Sequence, residues 1–227
     1  MSKKVLVVAA HPDDEVLGCG GTIARHVKEG AQVYALILGE GITSRYAKRE
    51  SGLGSKELGA LKTYISSAAK ILGVNKTYTR GLPDNRFDSV DLLDIVKEIE
   101  KVTEEIKPDI VYTHHKGDLN IDHRITFDSV LTACRPVDGG TVKEIYSFEV
   151  PSSTEWNFPH SFQPTVYVDI ADTMKTKTAA MKAYKSEVRK WPHPRSEEAI
   201  VTLAKKRGCE VGLFFAEAFE LIRKIIK

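Results

Sequence analysis

Unbroken apolar runs and helical periodicities alternate along the first two-thirds of the chain. Val5 to Ala10 is a continuous apolar run, and Ala31 to Leu38 (AQVYALIL) is a second. Runs of this length bounded by polar residues read as strands buried on both faces. Between them the periodicity predicts a helix through Ile23 to Lys28, closed at Gly30. Residues 39–54 have no apolar period and are rich in glycine and mixed charge, which predicts a loop. A helix ending at Leu72 and a short strand over Thr77 to Arg80 follow, then a helix over Val90 to Ile106 stopped by Pro108. Asp109 to Thr113 reads as another strand and the stretch up to Cys134 as another helix. Beyond Pro136 the pattern changes. Two strands, Glu144 to Val150 and Thr165 to Ile170, precede three expected helices: Thr173 to Lys190, one opening at Ser196, and Val211 to Ile226. The predicted fold is α/β, an open and mostly parallel sheet with helices on both faces. Residues 1–135 form its Rossmann-like core, and residues 136–227 form an extension packed on that core within a single domain.

Two clusters of polar residues break the pattern, and both follow strands. The first strand runs directly into His11, Pro12, Asp13, Asp14 and Glu15; the strand at Asp109 to Thr113 exits into HHKGDLNIDH, residues 114–123. Carboxylates crowded at one strand end raise one another's pKa unless a cation or hydrogen-bond donors compensate. A helix starting near Asp14 offsets only part of that charge. The expectation is therefore a divalent metal held by His11 and one of the aspartates, with a third ligand from a distant part of the chain. Ligands gather at the carboxyl ends of parallel strands, so the two clusters are expected to converge there. A dinucleotide site fits poorly. Its glycine fingerprint would stand directly after the first strand, where HPDDE would repel phosphate, and the later GCGG is better explained by close helix-to-sheet packing.

Composition narrows the partners. Lys and Arg number 33 against 31 Asp and Glu, so no global field points to nucleic acid or an anionic membrane. No segment has the length and apolarity of a signal peptide or a bilayer span, which suggests a cytoplasmic protein. Cys19, Cys134 and Cys209 are too few and too irregularly spaced for a disulfide framework, and read as small buried hydrophobes.

The motifs at these positions resemble the PIG-L and LmbE-like zinc-dependent deacetylases. Ala10 to Glu15 reproduces AHPDDE, and Asp122-His123 reproduces the distant DH. The resemblance extends through KILGV at Lys70 to Val74, LPD at Leu82 to Asp84, KPDIVYT at Lys107 to Thr113 and AEAF at Ala216 to Phe219. It implies a Rossmann-like fold and hydrolysis of the N-acetyl group of an amino sugar, a small-molecule substrate. It also implies His11, Asp14 and His123 as metal ligands and Asp13 as the proton-handling catalytic residue. Zinc (Zn2+) is the implied metal, and two imidazoles with a carboxylate also suit Fe2+ or Co2+. Relatives of this kind assemble as trimers or hexamers, so a homo-oligomer is expected.

Departures from the family pattern shape the remaining expectations. Asn120 stands where relatives often carry a histidine; it can donate a hydrogen bond to an oxyanion but cannot supply a proton. Either Asp13 makes both proton transfers, or His114, His115 or His193 supplies one. Asp122 would orient a histidine from behind the metal. For Glu15 two readings stay open, a catalytic part and, with at least equal weight, a structural one such as pairing with a cation. For substrate contacts the expected residues are Arg45 in the 39–54 loop, Asp84 with its neighbours Asn85 and Arg86, and His115. The rigid stretch Trp191 to Arg195 could close over the site. Two other readings stay open: an amidase for a thiol-sugar conjugate or an N-acyl amino acid, and a metal- or nucleotide-binding module without catalysis.

Overall fold

The computed structural model describes residues 2–41, 55–137 and 139–226. Arg45 and most of the expected 39–54 loop lie outside these residues. The elements are β1 (Lys4–Ala9), α1 (Asp14–Lys28), β2 (Gln32–Gly39), α2 (Ser55–Leu72), β3 (Lys76–Leu82), α3 (Leu92–Ile106), β4 (Ile110–His114) and α4 (Ile121–Ala133). They continue with β5 (Glu144–Phe148), β6 (Val166–Asp169), α5 (Met174–Ala183), α6 (Glu197–Cys209) and β7 (Ala216–Lys224). One sheet runs in the order β3-β2-β1-β4-β5-β7-β6. Its first five strands are mutually parallel, and β7 pairs antiparallel with both β5 and β6.

The continuous apolar run in β1 is explained by its central position. Val5, Val7 and Ala9 enter the core beneath α1, α2, α5 and α6, while Leu6, Val8 and Ala10 enter the second core beneath α3 and α4. With both faces covered, the period-two alternation of a half-buried strand disappears. The glycines after HPDDE serve packing, as expected from the sequence. A Cβ on Gly18 would stand 2.2 Å from the Phe148 ring, and one on Gly21 would stand 2.8 Å from Ile170.

Three expectations need correction. The last predicted helix is the strand β7, inserted between β5 and β6. Its Ala, Glu and Leu residues favour helix, and its apolar spacing imitates a helical stripe, because Glu217 is buried and breaks strand alternation. Ladders on both edges satisfy the β7 backbone and override that propensity. The helix expected from Thr173 to Lys190 ends at Ala183, where Tyr184 leaves helical geometry and drops fully into the core. Cys19 and Cys134 are buried, but Cys209 at the end of α6 is exposed. Among the described residues, no helix is long and apolar enough to cross a membrane.

Candidate functional site

Strand order reverses between β1 and β4, since β2 and β3 lie to one side of β1 while β4 and β5 lie to the other. His11 emerges just past β1, Asp14 opens α1, and His123 sits in the first turn of α4. The topology thus brings both polar clusters to one crevice at the carboxyl ends of the strands.

Three ligand-type atoms converge there. His11 Nδ1 lies 3.3 Å from His123 Nε2. Asp14 Oδ2 lies 3.4 Å from His11 Nδ1 and 3.3 Å from His123 Nε2. A tetrahedron around zinc with bonds of about 2.1 Å has edges of about 3.4 Å, so this triangle matches one face of such a tetrahedron. The far side of each imidazole is held by a buried carboxylate. Asp122 Oδ2 is 2.9 Å from His11 Nε2. Asp118 Oδ1 is 3.2 Å from His123 Nδ1, close enough for charge pairing although off the hydrogen-bond line. Protons attracted to those outer nitrogens leave lone pairs on the inner ones, and three acceptors then face a single point. That arrangement requires a cation or shared protons.

The titration behaviour has the same origin. Burial alone would lower the His11 pKa, but Asp122, Asp14 and Asp84 more than reverse this and raise it to about 10. His123 likewise loses to burial and gains from Asp14 and Asp118, reaching about 9. Burial would raise the Asp14 carboxyl, and the adjacent His123 and His11 hold it well below the usual range. Buried carboxylates therefore gather positive charge at the centre of the triangle. A second grouping, His11 with Asp84 and Asp122, is also close enough for an ion. There Asp122 already accepts two backbone N–H groups, of Asn85 at 2.6 Å and Phe87 at 2.9 Å, as well as facing His11, whereas Asp14 Oδ2 accepts one, from His11 at 2.8 Å.

Asp13 lies beside the triangle and outside it. It is the N-cap of α1 with φ 101°, and burial pushes its carboxyl well above the usual range, with Arg195 opposing the shift. Arg195 Nη1 donates to Asp13 Oδ2 at 3.1 Å and to Glu187 Oε2 at 3.1 Å, and Nε donates to Ser152 Oγ at 2.8 Å. A cleft of about 290 Å³ opens over these groups. His11, Asp13, Asp14, Asp84 and His123 line it on the sheet side, and Ser152, Trp156, Glu187, His193 and Arg195 contribute from the C-terminal segments.

The remaining expected residues divide clearly. Asp84 is buried in the cleft, 3.2 Å from His11 Nε2. Asn120 also lines the cleft, but its Oδ1 caps α4 by accepting from the Asp122 N–H at 2.8 Å, while Nδ2 donates to Asn85 Oδ1 at 2.8 Å. His115 does not line the cleft; its ring joins Glu220 of β7 at 2.8 Å to Ser161 at 2.9 Å. His114 is fully buried, and its Nε2 accepts the Ala10 N–H at 2.8 Å, which leaves no lone pair for a substrate. Of the three candidate histidines, His193 alone reaches the cleft. Glu15 pairs with no cation among the described residues; it accepts from the Tyr184 hydroxyl at 2.6 Å. Asp118 and Glu187 went unrecognised in the sequence. The signal for Asp118 was available, as an acid within the second cluster.

Comparison with known proteins supplies the family. The family model described as PIG-L: GlcNAc-PI de-N-acetylase matches residues 6–134. The chain is 30% identical over 196 residues to the protein called "Uncharacterized deacetylase YaiS" of Escherichia coli K12, covering 81% of this chain and 91% of that one. It is 27% identical over 231 residues to the diacetylchitobiose deacetylase of Thermococcus kodakarensis, covering 97% and 83%. Among solved structures, the 4-carboxy-2-hydroxymuconate hydratase GalB of Pseudomonas putida KT2440 superposes with a TM-score of 0.78 at 22% identity, over 99% of this chain and 98% of that one. That last likeness is one of fold.

Proposed function

The chain belongs to the PIG-L family of de-N-acetylases, and from that premise we propose that it is a metal-dependent hydrolase removing the N-acetyl group of an amino sugar. The observation that carries the reading is the convergence of His11 Nδ1, Asp14 Oδ2 and His123 Nε2 beside a non-ligating Asp13. Fold alone would not choose a reaction, since a hydratase has the same architecture. Two imidazoles and a carboxylate, each imidazole backed by a second carboxylate, suit zinc.

His11, Asp14 and His123 would hold a divalent cation, which would supply Lewis acidity toward an acyl oxygen and a water. The protein supplies the rest. Asp13 takes the proton of the attacking water and delivers it to the departing amine, so that one carboxyl serves both halves of the reaction. Arg195 holds Oδ2 of that carboxyl in place. Asp122 and Asp118 fix the ring orientations of His11 and His123. Asn120 and His193 face the cleft as polar contacts, with Asn120 limited to donating through its amide nitrogen. The polar side chains of Asp84, Asn85 and Ser152 line the cleft and suit a hydroxyl-rich sugar. Arg45 remains a proposed substrate contact from outside the described residues.

Acetate release from N-acetylglucosamine and N,N'-diacetylchitobiose, assayed with protein loaded with zinc or cobalt, tests the reading. Turnover that disappears in Asp13→Asn while metal content stays at the wild-type level supports it. Stoichiometric metal binding without turnover on these sugars overturns the amino-sugar assignment. Turnover confined to N-acyl amino acids or thiol-sugar amides would redirect it within the hydrolases.

A further inference from the structure

Asp13 has a backbone conformation that an L residue rarely keeps, φ 101° and ψ −25°. Such a residue persists only where its surroundings over-determine it. Two side-chain contacts do so, one from Glu15 in α1 and one from Arg195, and the connection between α5 and α6 supplies both Arg195 and Tyr184, the residue that holds Glu15. The Asp13 N–H donates to Glu15 Oε2 at 3.1 Å, and Glu15 Oε1 accepts the Tyr184 hydroxyl at 2.6 Å. On the side chain, Arg195 donates to Oδ2 and is itself anchored on Glu187 and Ser152.

We propose that Tyr184 and Arg195 form a two-point clamp that preorganises Asp13, Tyr184 acting through Glu15 on the main chain and Arg195 acting directly on the carboxylate. The inference rests on Asp13 being the base of the proposed reaction. All three are positioning residues. Tyr184 is fully buried and cannot meet substrate, and none of the three belongs to the His11–Asp14–His123 triangle. A base must lie within hydrogen-bond reach of the proton that it removes, and small misplacements of a reacting group cost large factors in rate.

The test uses the full-length zinc-loaded protein and the variants Tyr184→Phe, Glu15→Gln and Arg195→Lys. Readouts are kcat, KM, metal content and the amide exchange rate of Asp13 followed by NMR. Tyr184→Phe is expected to lower kcat about tenfold, the value of one hydrogen bond to a charged group. KM and metal content stay unchanged, and exchange at Asp13 accelerates by a similar factor. Glu15→Gln keeps an acceptor for the Asp13 N–H but gives up the charge that strengthens both of its hydrogen bonds, so kcat falls and exchange at Asp13 accelerates in the same direction as in Tyr184→Phe. If Tyr184→Phe fails to fold, Arg195→Lys carries the test, with kcat lowered at constant KM and metal content. A variant that loses thermal stability yet keeps wild-type kcat and Asp13 exchange overturns the clamp. A wild-type protein without acetate release would sink the deacetylase reading alone, because amide exchange tests the clamp without turnover.

Discussion

Helix α1 carries two buried charge clusters, one at its start and one at an internal kink, and they behave differently. At Cys19 the backbone leaves helical geometry, with φ −147° and ψ 25°. Glu217 from β7 fills the break, accepting from the N–H groups of Gly21 at 2.9 Å and Thr22 at 2.7 Å. Lys177 from α5 donates to Leu17 O at 2.8 Å and pairs with Glu217 Oε1 at 2.5 Å. This cluster is closed: one cation and one anion pair with each other and between them take up two N–H groups and one carbonyl at the break. The His11–Asp14–His123 cluster is open, since its acceptors point at one another. Buried charge that is mutually satisfied holds a fold together, whereas buried acceptors that converge on one point with lone pairs to spare mark a site for a ligand.

Breaking the open cluster should have the largest effect on function. His123→Ala removes one corner of the triangle and is expected to abolish both stoichiometric metal binding and turnover, as measured by elemental analysis and acetate release. Asp13→Asn leaves the triangle intact, so turnover should fall on the order of 10²–10⁴-fold with metal retained. A mutant that lost both together would place Asp13 among the ligands.

The closed cluster should respond in stability. Lys177→Met strands the Glu217 carboxylate and is expected to cost about 3–5 kcal/mol in urea unfolding. Adding Glu217→Gln, which removes the stranded charge and keeps an acceptor for the backbone, should recover part of that loss. Metal affinity of the folded fraction is expected to stay unchanged in both.

A pH series sharpens the contrast. Without metal, His11 and His123 have folded-state pKa values of about 10 and 9, against 6.5 for an unperturbed imidazole. Their stabilising contribution is therefore complete below pH 6.5 and is lost as pH rises through 9 and 10. The melting temperature of the metal-free protein should fall over that window. Metal needs the neutral rings, so its binding should release protons and its stabilisation should grow with pH, both visible by calorimetry in buffers of different ionisation enthalpy. A flat metal-free profile would contradict the assignment of raised pKa values.

Asn120 should give the smallest effect. Asn120→Ala removes the α4 cap at an expected cost of about 0.5–2 kcal/mol. If its cap is its main role, kcat at saturating substrate should change by less than it does in Tyr184→Phe.

The sequence revealed most where local chemistry was extreme. Val5 to Ala10 read as a doubly covered strand, and the acids after it demanded compensation, so a site at His11 with one of the following aspartates was legible from a short stretch; dividing the roles between Asp13 and Asp14 took the family resemblance. The cluster after β4 was legible as a partner because it also followed a strand, but the choice of His123 within it came from the resemblance of Asp122-His123 to the family's DH motif. What lay hidden depended on contacts distant in sequence. β7 reads as helix until β5 and β6 flank it, since Glu217 sits inside on account of a kink some two hundred residues earlier. His115 stands next to His114 in a promising cluster, yet Glu220 and Ser161 claim its ring. Arg195 belongs to a stretch expected to close over the site, but its hold on Asp13 emerges only when the chain between α5 and α6 returns to the start of α1.

The most direct test of the open cluster is an anomalous-diffraction map of crystals of the zinc-loaded protein collected at the zinc edge. We predict a single strong peak coordinated by His11 Nδ1, His123 Nε2 and Asp14 Oδ2, with Asp13 close by but outside bonding distance. A peak between His11 Nε2, Asp84 and Asp122, or one bonded to Asp13, would contradict the account.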